Sequence, residues 1–330
     1  MCAIFGFIDT KGYIPYRTMR RFTQKLANAA EERGTDSAGI AYVNNGKMII
    51  SKKPKSAHKI NFFFPYGTRA VLGHTRYATQ GDKKFNFNNH PFPGKAGNTE
   101  FAMAHNGVLY NDKLLRKEYN LPDTEIETDS YIAVQLAESK GRLDFDSLKF
   151  VAEEISGSFV LTYLDTDNNL YIVKGDNPLY LVYFENLGLY VYASTKSIFE
   201  NAIKNTQFAN CKHSVIKVDE GEIIKISTNG KFERLEFESS SYFDALCRQY
   251  KFYNYDWYSN DDYCTLAEEE LLSVCNMYGF TEDVILMLLD YGYTSEEIED
   301  MLPHAIMLSE VIKEVREYFY CDETEEVIYN

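Results

Sequence analysis

Met1-Cys2-Ala3-Ile4-Phe5-Gly6-Phe7 opens the chain, and the rest of the sequence turns on what its second residue is for. A cysteine directly after the initiator Met leads into an apolar run. Its small side chain permits removal of the Met, so Cys2 is expected to become the mature N-terminus. One residue would then carry both a thiol and a free α-amine. An α-amine titrates near ~7.7–8.0 and a free thiol near ~8.5, so the amine is partly neutral at pH 7 and can take the thiol proton. Nucleophile and base would share one residue. The plainer reading makes Cys2 a small buried hydrophobe in a first strand, and the remaining sequence has to decide between the two.

The 330 residues suit one large domain, or one with a small appendage. Apolar residues make up 45%, enough for a sizeable core. No eighteen-residue apolar run is present, which excludes a helical membrane span. There is no basic region followed by an apolar core and a cleavage site, so no secretory signal is expected and the protein reads as cytoplasmic. The six cysteines form no C-x-x-C pair, which argues against a zinc site or a disulfide framework. Net charge is −15, but residues 1–240 hold 28 acidic and 30 basic side chains while residues 241–330 hold 21 acidic and 4 basic. All the acidity lies in the last quarter. Such a segment repels nucleic acid phosphates and either meets a basic partner or keeps the chain soluble.

Periodicity predicts a first strand over 2–9, an amphipathic helix over 16–33 and a hairpin around Asn44-Asn45-Gly46. Strands over 70–75 and 101–105 follow, the second ending on Asn106-Gly107. Helices are predicted over 129–140, with Thr128 as N-cap, and over 143–155. From 157 to about 235 the pattern becomes short strands with one helix over 198–205. Strands, helices, then strands again point to an α+β domain with helices over sheets, assigned to residues 1–238. Residues 239–330 read as an acidic helical module. It includes helices over 266–278 and 307–319, and two short helices opened by Gly279-Phe280-Thr281 and Gly292-Tyr293-Thr294. Thr294 and Glu297 form a capping box in the second.

Polar clusters stand at strand ends and turns: Arg33-Gly34-Thr35-Asp36-Ser37-Ala38-Gly39, Gly73-His74-Thr75-Arg76-Tyr77-Ala78-Thr79-Gln80-Gly81, Asn89-His90-Pro91, His105-Asn106-Gly107 and Glu127-Thr128-Asp129-Ser130. Singly, each has a bland explanation. Arg33 can be a helix-end cation, His90 and His105 hydrogen-bonded core residues, Asn106-Gly107 a turn, and Asp129 a first-turn charge. Arg76 at a strand end is more specific, because its fork suits a carboxylate.

Taken together and in this order, the clusters resemble the class II glutamine amidotransferases, which are N-terminal-nucleophile hydrolases. The resemblance covers residues 2 to about 235 and implies a four-layer αββα sandwich. It implies that Cys2 attacks the side-chain amide of glutamine, with the Asn106 side chain and Gly107 N–H as the oxyanion hole. Arg76 would clamp the α-carboxylate and Asp129 the α-ammonium. Tyr77 and Thr79 would belong to a loop closing over the substrate, and Arg33 and His90 would support the site. Ammonia would leave a γ-glutamyl thioester that water hydrolyses. No metal and no cofactor are implied.

Two departures stand out: Ala3 where the family has Gly, and Gln80 and Asp82 in the closing loop. Family members that use ammonia internally carry a large synthase domain, which ninety acidic helical residues do not resemble. The expectation is therefore glutamine hydrolysis that supplies ammonia to a synthase subunit on a separate protein. The alternatives are a free-standing γ-glutamyl amide or peptide hydrolase, and a non-catalytic binding module working through the acidic tail. No direct contact with nucleic acid or membrane is expected, and a homo-oligomer is left open.

Overall fold

The computed structural model describes residues 2–78, 80–238 and 282–302, with Leu308, Val311, Ile312 and Val315. The chain divides into two units, 1–249 and 250–330.

In the first unit β1 (Ala3–Asp9) lies at the centre of a seven-stranded antiparallel sheet. Its partners are β2 (Ser37–Asn44), β3 (Lys47–Lys53), β4 (Ala70–Arg76), β9 (Tyr180–Phe184), β10 (Leu189–Ala193) and β11 (Ser214–Ile216), in the order β11-β9-β10-β1-β4-β2-β3. A second antiparallel sheet has the order β13-β12-β8-β7-β6-β5. It is built from β5 (Phe92–Ala96), β6 (Thr99–Leu109), β7 (Gly157–Asp165), β8 (Leu170–Lys174), β12 (Glu222–Ile226) and β13 (Phe232–Glu236).

The helices cover the outer faces. α1 (Tyr16–Ala29) and α5 (Lys196–Ile203) bury Met19, Phe22, Leu26, Ile198 and Phe199 against Phe5, Phe7 and Val191 of the first sheet. α2 (Asp112–Glu118), α3 (Tyr131–Ser139) and α4 (Phe145–Glu154) pack Leu115, Ile132, Leu136, Leu148 and Val151 against Met103, Leu161 and Val173 of the second. A third core, with Ile4, Ile8, Leu72, Ala104, Val160 and Ile172, fills the space between the sheets. Three apolar layers between four layers of structure make the αββα sandwich.

Side-chain alternation along the strands sets what faces what. In β1, Ala3, Phe5 and Phe7 point to the helices, while Ile4 and Ile8 point to the other sheet. Cys2 continues the second set. The methyl of Ala3 is fully buried in the helix-side core, so it occupies packed volume away from the inter-sheet space. Gly6 also faces inward, at a position with no room: a Cβ would lie 2.2 Å from the Val71 carbonyl oxygen and 2.6 Å from the Tyr192 hydroxyl.

The elements follow the sequence reading with three corrections. β6 does not stop at Asn106-Gly107 but runs on to Leu109, pairing Asn106 with Val160 and Gly107 with Phe159. Glycine tolerates the φ of +148° there, and its bare Cα admits the Ser158 carbonyl. Thr128 does not cap α3: the helix begins at Tyr131 after Ser130, with no side-chain cap. The preceding residues form a tight turn, in which Tyr131 N–H bonds the Thr128 carbonyl and Ile132 N–H that of Asp129. α2, β5 and β13 add to the predicted set.

In the second unit α6 (Glu282–Tyr291) and α7 (Ser295–Met301) are described. Thr294 and Glu297 form the expected reciprocal capping box. The helices predicted over 266–278 and 307–319, and the start at Gly279-Phe280-Thr281, fall outside the described residues or nearly so. No described helix is long and apolar enough to cross a membrane.

Replacing Gly6 by Ala forces a methyl into the Val71 backbone, and overpacking of this kind costs about 1–3 kcal/mol. A urea titration of Gly6→Ala should show a lower midpoint at unchanged slope.

Candidate active site

Cys2, His74, Arg76 and Asn106 face the inter-sheet space at one end, and strand alternation explains why. In β4, Ala70 and Leu72 face the other sheet, so His74 and Arg76 do too. In β6, Ala102 and Ala104 face inward, and Asn106 follows them. Register completes the set: Ala3 pairs with Thr75, which sets Cys2 opposite Arg76 one step further along.

The Cys2 thiol donates to the Tyr77 carbonyl at 3.6 Å. Burial pushes this thiol above its ordinary value, and the Asp129 charge adds to that, against the opposing pull of the Tyr77 bond and Arg76. Arg33 leaves the 3₁₀ turn after α1, a turn held by the Thr75 hydroxyl donating to the Ala30 carbonyl at 2.9 Å. Its Nε donates to the Cys2 carbonyl at 2.7 Å and its Nη2 to Asn106 Oδ1 at 3.4 Å. With Oδ1 turned to Arg33, the Asn106 Nδ2 is left buried without a partner among the described residues.

Arg76 is buried and already engaged. It donates to Asn89 Oδ1 at 2.8 Å, to the Gly81 carbonyl at 3.2 Å and to the Gln80 carbonyl. Two carboxylates grip the same loop. Asp36 accepts from Ala78 N–H at 3.0 Å and from Lys83 Nζ at 2.5 Å. Burial pushes the Asp36 carboxyl up, but these two donors outweigh it and hold it below its usual value. Glu127 accepts from Asp82 N–H at 3.0 Å and Asn88 Nδ2 at 2.7 Å, and its own N–H donates to Asn88 Oδ1 at 2.9 Å. Tyr77 is 54% exposed on this loop, and Thr79 lies outside the described residues.

Asp129 is buried before α3, where its Oδ2 accepts from Leu109 N–H at 2.7 Å. His90 touches neither Cys2 nor Asn106 by any hydrogen bond. Its ring lies against His74 with centroids 4.2 Å apart and against Phe92 at 4.3 Å, and neither ring nitrogen has a partner among the described residues. His74 Nε2 bonds the His105 carbonyl at 2.9 Å. Burial pushes His74 down to about 3 and holds His90 and His105 below the ordinary imidazole value as well. Lys52 donates to the carbonyls of Asn89 and Pro91, and burial pulls its ammonium down to about 8.

Asn89, Asp36 and Glu127 were missed as site residues. Their only signal in the sequence is that each falls inside a polar cluster. Among the described residues no group of three or more His, Cys, Asp or Glu side chains gathers to hold a metal ion. An open cleft of about 940 Å³ lies elsewhere, lined by Ile50, Lys52, Phe87, Pro93 and Tyr131, and contains none of the sequence-predicted site residues.

Residues 74–201 match the family described as glutamine amidotransferase domain. Over these residues the chain is similar to glutamine amidotransferases. The glutamine–fructose-6-phosphate aminotransferase (isomerizing) of Staphylococcus aureus is 33% identical over 187 residues, covering 53% of this chain and 29% of that enzyme. Its Staphylococcus epidermidis counterpart is 33% identical over 184 residues. The match thus spans less than a third of these relatives' length. Among solved structures, glutamine phosphoribosylpyrophosphate amidotransferase from B. subtilis, complexed with ADP and GMP, superimposes with a TM-score of 0.58 at 20% identity. A structure described as the allosteric regulatory enzyme of purine biosynthesis gives 0.59 at 19%. Each covers 73% of this chain and 50% of the other. The shared fold is that of the N-terminal-nucleophile hydrolases.

The first unit thus keeps three neutral imidazoles beside its polar cluster. A lowered histidine pKa penalises the folded state at acid pH, because below about 6.5 the unfolded chain takes up protons that the folded one refuses. For His74 the penalty grows by about 1.4 kcal/mol per pH unit between 6.5 and its folded value near 3. The urea midpoint should fall as pH drops from 6.5 to 5, and the His74 imidazole nitrogens should keep neutral NMR shifts at pH 5.

Proposed function

We propose that this domain hydrolyses the side-chain amide of glutamine through Cys2 and releases ammonia to an acceptor outside residues 1–330, expected on a separate protein. Residues 1–238 carry the chemistry in this reading, and 239–330 form a distinct acidic module. The observation that carries it is the Arg33 bridge. One guanidinium binds both the Cys2 carbonyl and Asn106 Oδ1, and among the described residues the buried Asn106 Nδ2 is left with no acceptor.

Processing to an N-terminal Cys2 frees its α-amine as the base. Burial keeps the thiol protonated at rest, so the proton leaves only as sulfur attacks the amide carbon. Negative charge then develops on the amide oxygen, where Asn106 Nδ2 and the Gly107 N–H stabilise it. The proton passes to the departing nitrogen, the C–N bond breaks, and ammonia leaves a thioester between Cys2 and the γ-carbonyl. Water adds to the thioester, and glutamate departs as the thiol regains its proton. Arg76 receives the substrate α-carboxylate in exchange for the loop carbonyls it now holds, and Asp129 receives the α-ammonium. Tyr77, with Thr79, closes the loop over the substrate. Arg33 supports the nucleophile and the oxyanion donor together, and His90 supports the site by packing on His74.

Cys2→Ala should abolish ammonia release from glutamine in a coupled assay. Asn106→Ala should lower kcat by about 10²–10³-fold, and Asp129→Asn should act mainly on KM. Intact mass of the wild-type protein should show a chain beginning at Cys2 and a single adduct with a glutamine-mimicking diazo-ketone. Hydrolysis that survives in Cys2→Ala would sink this mechanism.

A further inference from the structure

His105 and Ser130 have no part in the chemistry above, yet they join two of its components. Asn106 faces the inter-sheet space, so its neighbour His105 faces the opposite way, toward the start of α3. The His105 ring is buried there. Its Nδ1 lies 2.7 Å from Ser130 Oγ, and Ser130 Oγ donates to Asp129 Oδ1 at 3.3 Å. The other edge of the ring underlies the oxyanion strand. His105 Nε2 is 3.4 Å from the Ser158 carbonyl, and a Cβ built on Gly107 would stand only 2.7 Å from this nitrogen. The His105 carbonyl is held in turn by His74 Nε2, two residues before Arg76. A single imidazole is therefore wedged between Gly107, the helix start that carries Asp129, and the strand that carries Arg76.

We infer that His105 and Ser130 are positioning residues that aim Asp129, through the chain His105 Nδ1–Ser130 Oγ–Asp129 Oδ1, and so set the enzyme's selectivity for substrates bearing an α-ammonium. The inference rests on the reading of Asp129 given above. Leu109 N–H occupies Asp129 Oδ2, so the carboxylate is fixed from both oxygens. A carboxylate held at two points cannot rotate away from an incoming ammonium, and a hydrogen bond to a charged group is strong enough to matter for affinity. Without Ser130 Oγ the carboxylate pivots about the Leu109 bond. Recognition of the ammonium suffers while recognition of the carboxylate by Arg76 does not.

The test compares glutamine with glutaramate, which is glutamine lacking the α-ammonium, in the full-length protein. Wild type and Ser130→Ala are assayed for glutamine KM and kcat, with glutaramate measured as a competitor. Ser130→Ala should raise the glutamine KM by roughly 10- to 100-fold, leave kcat close to wild type, and leave the glutaramate Ki unchanged. A general loosening of the site would weaken both ligands together, and that outcome, or an unchanged glutamine KM, overturns the inference. The pair His105→Asn and His105→Leu reports independently: Asn keeps a donor where Nδ1 stands and should retain the preference for glutamine, whereas Leu should lose it. Equal preferences in those two variants also count against the proposal. Glutamine hydrolysis that persists in Cys2→Ala would instead remove the reading beneath it, and the two failures are read from different proteins.

Discussion

A single guanidinium crosses the gap between the two sheets. Arg33 reaches the carbonyl of Cys2 in one sheet and the side chain of Asn106 in the other. Apolar packing holds the sheets together along most of their length, but packing alone is non-directional. At the polar end, where Ile4 and Ala104 give way to Cys2 and Asn106, a directional tie has to fix the spacing. Arg suits the task, since its donors lie in a rigid plane and its charge is always present. Its position also depends on the turn after α1, so the outer helix layer contributes to the geometry at the centre.

Much of this architecture could be read from the sequence because it follows from short-range periodicity. The two faces of β1, the hairpin at Asn44-Asn45-Gly46 and the capping box at Thr294 are local patterns with local causes. The errors arose where a distant residue or a competing local turn decided the outcome. Asn106-Gly107 has the composition of a turn, yet β7 runs alongside and pairs both residues, so the strand continues. Thr128 has the composition of a cap, but the chain turns tightly through Asp129 and Ser130 before α3 begins. Asn89, Asp36 and Glu127 matter through bonds to residues between 13 and 45 positions away, and a sequence alone does not display such bonds.

Three charges around the site are each answered. Asp36 has Lys83, Arg76 has the loop carbonyls and Asn89, and Asp129 has two donors. The imidazoles packed around them stay neutral, since a protonated ring at full burial would add charge beside Arg76 and Lys52. Neutral rings supply polar atoms and flat packing surfaces without a desolvated charge. Arg76 thereby keeps its charge at the inner end of the loop that follows β4, held by the Gln80 and Gly81 carbonyls.

The sheet order leaves four strands at the borders, β3, β11, β5 and β13, and each is unsuited to recruiting a neighbour. β3 carries Lys47, Lys52 and Lys53, β5 has Pro93 in place of a donor, β11 is three residues long, and β13 alternates Glu233, Arg234 and Glu236. Charge, a missing N–H and short length are the usual defences of open sheet margins against strand addition. The thirteen described strands thus end in margins that oppose strand addition, so the backbone of this sandwich offers a neighbouring copy little to pair with.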